Sequence, residues 1–199
     1  GADTFTGGAG DETISGGSGA DIIDAQGGND TINLGAGIDT VRIDFGGEGA
    51  DIISDFAAGA GGDVFDFLGT SDVANSVTNK TSFSIQANAN NTATQLVNGL
   101  TIIDNNDGAN VSAASLSTTD VATYLADTDG GGVGTDAIVS DNGGITDDVY
   151  VIVSDGVDSA LFFAANDTNA AIASGELTLI ATFQGISDAG TFVAANFND

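Results

Sequence analysis

Residues 1–54 read GADTFT, GGAGDETIS, GGSGADIID, AQGGNDTIN, LGAGIDTVR, IDF and GGEGADIIS. Large apolar residues recur at every ninth position, at Phe5, Ile14, Ile23, Ile32 and Val41, and resume at Ile53 after the insertion Ile43-Asp44-Phe45. An acid precedes each by two residues: Asp3, Glu12, Asp21, Asp30, Asp39 and Asp51. Glycines gather just ahead of each acid. A sustained short period of this kind marks a stacked repeat, in which each unit buries its apolar residue against the next. Each repeat holds a glycine-rich part suited to a tight loop and a short part suited to a strand.

If one coil takes two repeats, the acids sort onto two edges. Asp3, Asp21 and Asp39 share one, and Glu12, Asp30 and Asp51 the other, with the insertion at Ile43–Phe45 expected to break the stacking before Asp51. Glycine loops turn backbone carbonyls toward one point, and the closing acid adds a carboxylate. Calcium is a hard cation that takes six to eight oxygens at about 2.3–2.6 Å. A single loop is too poor in oxygens for that, whereas two stacked loops suffice. The candidate ligands are therefore these six acids with Gly7, Gly8, Gly10, Gly16, Gly17, Gly19, Gly28, Gly35 and Gly37.

The pattern resembles the nonapeptide GGxGxDxUx of RTX proteins. Gly16–Asp24 and Gly46–Ser54 match it at every fixed position. Gly7–Ser15 departs in carrying Glu12 for Asp, Ala25–Asn33 lacks the first two glycines, and Leu34–Arg42 lacks the first. The resemblance implies a parallel β-roll binding several Ca2+ ions. Residues 52–68, IISDFAAGAGGDVFDFL, look like the closing strand and last calcium site of such a block, which adds Asp55, Asp63 and Asp66 to the candidate ligands. Phe56, Phe65 and Phe67 are expected to cap the open end of the roll.

The formal net charge of the 199-residue chain is −27, and Arg42 and Lys80 are its only strong bases. Self-repulsion on this scale opposes a compact state, and bound divalent cations would relieve it. Nucleic acid and anionic membrane surfaces both need clustered Lys and Arg, so neither is an expected partner. A hydrophobic fraction of 41% is nevertheless that of a folded protein. Cys, His, Met, Trp and Pro are all absent. Disulfides, thiolate sites and ordinary zinc, copper or haem ligation are thereby excluded. No apolar run is long enough for a membrane-spanning helix. The chain opens inside a repeat, so further sequence upstream is expected.

Beyond the repeats the period becomes two. Phe83, Ile85 and Ala87 alternate with polar residues, and Leu96-Val97 and Leu100–Ile103 flank Asn98-Gly99, a good hairpin turn. Asp104–Gly108 reads as a turn. Residues 117–126 form the best helix, capped by Ser117 or Thr118, with Leu116, Val121, Tyr124 and Leu125 on one face. Residues 127–136 alternate acids and glycines and either wrap a calcium through Asp127 and Asp129 or form an acidic loop. DAIVS (136–140), DVYVIVS (148–154), SALFFAA (159–165) and ELTLIATF (176–183) read as a β-meander. Its second strand is apolar on both faces and should lie centrally. Residues 165–176 faintly resemble an EF-hand loop in Asp167, Asn169 and Glu176, but Ala165 and Ala170 occupy positions that such a loop needs for an acid and a glycine. Residues 191–197 read as a short final helix.

The expected fold is mainly all-β: a parallel β-roll of nonapeptide repeats over residues 1–68, then a β-rich domain over residues 69–199 with one or two short helices. Catalysis is not expected, since no histidine or thiol is present and no serine has a basic partner. Residues 146–197 resemble the C-terminal β-domains that follow repeats in bacterial proteins exported by type I systems. That resemblance implies an extracellular or cell-surface location and the type I machinery as a partner. Two functional classes stay open. One is a calcium-dependent structural module of an S-layer, filament or adhesin that self-associates into a lattice or fibre. The other is the C-terminal folding and secretion module of an RTX exoenzyme or toxin whose active domain lies upstream.

Overall fold

A computed structural model describes residues 1–44, 49–68, 84–87, 95–96, 100–104, 113, 115–126, 139–140, 149–164 and 174–198. The loop 127–136, residues 165–173 of the EF-hand-like stretch, residues 105–108 of the DNNDG turn and Lys80 lie outside them. The protein is mostly β, and its strands follow the repeat. Odd repeats give β1 (Thr4–Gly8), β3 (Ile22–Gln26) and β5 (Thr40–Asp44); even repeats give β2 (Thr13–Ser15), β4 (Thr31–Asn33) and β6 (Asp51–Ile53). Next come β7 (Val64–Leu68), β8 (Ser84–Ala87), β9 (Gln95–Leu96) and β10 (Leu100–Asp104). Helix α1 (Thr118–Ala126) precedes β11 (Val139–Ser140), β12 (Val149–Ser154), β13 (Ser159–Ala164) and β14 (Leu177–Phe183). The expected final helix is instead two 3-10 turns, Ala189–Thr191 and Ala194–Asn196, followed by β15 (Phe197–Asn198).

One coil does take two repeats. All pairs within the roll are parallel, and they put the apolar residue of each repeat beside its counterpart in the next coil. Phe5 lies opposite Ile23, Ile23 opposite Val41 and Val41 opposite Phe65 on one side. Ile14 pairs with Ile32, and Ile32 with Ile53, on the other. Ile23, Ile32, Val41 and Ile53 are fully buried. Each such side chain contributes roughly 1.5–3 kcal/mol relative to exposure. The insertion does not break the second stack. Its step lengthens from 18 to 21 residues, and Asp30 still donates its N–H to Asp51. The longer step is tolerated because only strand register has to be kept.

Both sheets of the roll continue into the C-terminal part. The first has the order β1-β3-β5-β7-β15, closed by Phe197 opposite Phe65. The second runs β2-β4-β6-β14-β13-β12-β10-β8, joined to the roll by Ile53 opposite Phe183. The strands β12, β13 and β14 form the expected antiparallel meander. β11 is not part of it and pairs with β9. The hairpin expected at Asn98-Gly99 is not the pairing formed: β10 lies parallel between β8 and β12. Short apolar strands carry little register information of their own, so non-local neighbours decide their pairing.

β12 is central, and its two faces enter different cores. Tyr150 and Ile152 join the roll residues, Phe65, Phe67 and Phe183 in one core. Val151 and Val153 pack with Phe162, Leu177, Val121 and Ala122 in a second, beneath α1. The helix starts where expected, with Ser117 Oγ accepting the Asp120 N–H at 3.2 Å. Phe56, Phe65 and Phe67 are buried in the core that the roll shares with the C-terminal strands. Phe56 meets Phe183 edge-on at 5.0 Å, and Phe65 meets Phe67 at 5.1 Å. Among the described residues no helix is long and apolar enough to cross a membrane.

Candidate metal centre

The acids form two ladders along the edges of the roll. In the first, Asp3 donates its backbone N–H to Asp21 Oδ1 (2.7 Å), Asp21 to Asp39 Oδ1 (2.7 Å) and Asp39 to Asp63 Oδ1 (2.9 Å). In the second, Glu12 donates to Asp30 Oδ1 (2.6 Å) and Asp30 to Asp51 Oδ1 (3.0 Å). The carbonyl of each upper acid meanwhile accepts an N–H from the next coil, as Asp21 does from Thr40 at 2.8 Å. Every rung is thus fixed twice, by backbone and by side chain.

In Asp21, Asp30, Asp39 and Asp51 one carboxylate oxygen is spent in this way, and the other is not. Asp21, Asp30, Asp39 and Asp51 are at most 1% exposed, and Oδ2 of each is buried without a hydrogen-bond partner. Buried carboxylate oxygens are ordinarily satisfied, because an unpartnered charge is costly away from water. Burial pushes Asp30 and Asp63 above the usual carboxylate range and Asp51 up to about 7. Neighbouring acids of the ladder add to each shift, while the accepted N–H bonds oppose it.

Glycine makes the close stacking of the loops possible. A Cβ on Gly37 would lie 1.6 Å from Gly19 O, and one on Gly28, whose φ is +125°, would lie 2.3 Å from Gly10 O. These positions admit no side chain, so carbonyls of successive loops stay at van der Waals distance. Gly37→Ala is expected to lower stability by about 3 kcal/mol at fixed calcium, an overpacking cost with no flexible neighbour to yield. A denaturant midpoint equal to that of the parent would contradict it. In the repeats that lack the first glycine, Ala25 and Leu34 take its place as fully buried parts of the core, and Gln26 takes that of the second at a φ of +64°.

The remaining candidates play other parts. Glu12 is half-buried, and its longer side chain turns back to accept the Gly8 N–H at 3.0 Å. Asp55 is filled by protein donors, the N–H groups of Leu34 and Gly35 and the amide of Asn33. Asp63 accepts N–H groups on both oxygens, from Asp39 and from Ala57. Asp66 receives Arg42 Nε at 3.2 Å. The sequence reading missed a further ladder. Asp11 Oδ1 accepts the Asn29 N–H, and Asn29 Oδ1 accepts that of Ala50. Its signal is a polar residue at the fifth repeat position, where Ala20 and Ile38 stand on the other edge.

Among the described residues no three acidic side chains converge on one point. A cation here would therefore take one or two carboxylates and complete its shell with loop carbonyls, a hard all-oxygen donor set. The unpartnered Oδ2 atoms fit that role, and calcium bound to them would supply the missing positive charge. No curated protein matches the chain. Residues 6–41 match the family model of the RTX calcium-binding nonapeptide repeat in four copies, a repeat that binds Ca2+ at several sites and is a structural rather than a catalytic module.

Proposed function

We propose that this chain is a non-enzymatic, calcium-folded structural module of a secreted bacterial surface protein, serving assembly of an S-layer, filament or adhesin. The observation that carries the reading is the set of four buried carboxylate oxygens without partners, in a chain of net charge −27. Asp21, Asp30, Asp39 and Asp51 are the central ligands, Asp3 and Glu12 serve the outer coil, and loop carbonyls complete each shell. Asp55, Asp63 and Asp66 belong to the closing calcium site of the repeat block. Residues 1–68 act as the roll with its closing cap, and residues 69–199 as the β-rich C-terminal domain.

In this reading low cytoplasmic calcium keeps the acidic chain unfolded for export through a type I system, and millimolar calcium outside folds it. Calcium would also lower the repulsion that otherwise keeps such acidic surfaces apart. Electron microscopy of the chain before and after calcium addition tests the assembly role. Ordered sheets or fibres that appear with calcium and dissolve on chelation are expected. Monodisperse particles at every calcium concentration would sink the assembly role and leave a folding and secretion module for an upstream exoenzyme or toxin domain.

A further inference from the structure

We propose that the C-terminal segment 188–198 is a strap whose docking is coupled to calcium on the first ladder through the side chain of Asn196; this rests on the calcium reading above. Asn196 is fully buried. Its Oδ1 accepts the N–H of Gly59 (2.9 Å) and of Val193 (3.0 Å), and its Nδ2 donates to Gly59 O (3.1 Å) and Asp63 O (2.8 Å). An asparagine amide has two donors and two acceptor lone pairs, so its whole capacity is used. Three of these four bonds cross 133 to 137 residues of chain to reach the loop between Ala57 and Asp63.

That loop is the last rung of the first ladder. The Asp63 carboxylate accepts the Asp39 N–H on one oxygen and the Ala57 N–H on the other. Asp39 in turn holds one of the unpartnered buried oxygens. A continuous line of bonds therefore runs from a proposed calcium ligand, through Asp63, to Asn196 and the strand it precedes. The loop has little freedom within this line: Asp63 N–H bonds Ala57 O at 2.8 Å, and a Cβ on Gly62 would lie 1.9 Å from that oxygen.

The rest of the strap docks by apolar contact and one short strand pair. Phe192 is fully buried, 5.0 Å from Phe183 and 5.8 Å from Phe56, and Phe197 lies opposite Phe65. Ring contacts tolerate small shifts of the loop; four directed hydrogen bonds on one amide do not. With Asp39 unneutralised, repulsion between Asp39 and Asp63 opens the loop, and Asn196 loses its partners. Linkage makes the effect mutual: calcium favours the docked strap, and the docked strap tightens calcium by the same factor.

Hydrogen exchange followed by mass spectrometry on the full chain through a calcium titration tests this. Segments 57–66 and 192–198 should gain protection at one common midpoint. Asn196→Asp, which replaces the Nδ2 donor by an oxygen facing two carbonyls, should raise both midpoints together by about tenfold and leave that of residues 11–33 in place. Calcium-dependent protection of 57–66 with calcium-independent protection of 192–198 in the parent chain would overturn the strap alone. So would unchanged midpoints in the variant, and if the variant does not fold, the parent comparison decides. Full protection of the roll without calcium would overturn the calcium reading itself.

Discussion

Chelation of calcium with EDTA at pH 7.5 is expected to unfold the roll, with loss of the strand signal in far-UV circular dichroism and of any cooperative melt. Along each ladder the acids follow one another at roughly 5 Å, the spacing of neighbouring strands. Two carboxylates at that distance repel by about 3 kcal/mol at an effective dielectric constant of about 20. Asp21 and Asp30 each have such a neighbour on both sides. Calcium reverses the sign of these contacts. With site dissociation constants of about 0.1–1 mM, 10 mM calcium stabilises by about 1.4–2.7 kcal/mol per ion. One ion for each of the four unpartnered oxygens gives about 6–11 kcal/mol, which is comparable to the whole stability of an ordinary domain. Magnesium at the same concentration should not restore the fold, because it demands a small octahedral shell and gives up water reluctantly. A strand spectrum with a cooperative melt that survives EDTA at pH 7.5 would sink the idea.

The acids were legible because a nine-residue period carries its own register. Once Phe5, Ile14 and Ile23 point inward, the positions of Asp3, Glu12 and Asp21 follow, and so does their division between two edges. Local spacing cannot report which partner a strand finds far along the chain. β6 joins β14, with Ile53 beside Phe183 across 130 residues, and nothing in either segment names the other. β14 and β15 therefore extend the two sheets of the roll, and Tyr150, Ile152 and Phe183 share its core, which the change of period beyond the repeats does not reveal. The insertion at Ile43–Phe45 misled for a related reason. Stacking depends on the register of Ile32 with Ile53, and loop length between strands is a weak constraint on it. Asn196 was invisible because a single polar residue outside any period carries no signal, although three of its four hydrogen bonds fasten the C-terminal segment to the roll.

Acidity should act in opposite directions with and without calcium. Asp51 is at most 1% exposed, and burial raises its carboxyl from 3.8 to about 7, with Asp30 beside it adding to the shift. Asp30 and Asp63 move the same way. Without metal, the folded chain binds protons between pH 3.8 and about 7 that the unfolded chain does not. Stability from Asp51 is thus fully present below pH 3.8 and is lost as pH rises through about 7. The metal-free chain, unfolded at pH 7.5, should therefore show more strand signal at pH 5. Calcium requires the ionised carboxylate, so its binding competes with that proton. For a site governed by one group of pKa about 7, apparent affinity should fall by about 50-fold between pH 7 and pH 5. The calcium-loaded chain should accordingly be less stable at pH 5 than at pH 7.5, at a calcium concentration near the midpoint. Far-UV circular dichroism at both pH values, each in EDTA and in calcium, would show the two trends crossing. Parallel trends in the two conditions would mean that the buried carboxylates are not where calcium binds.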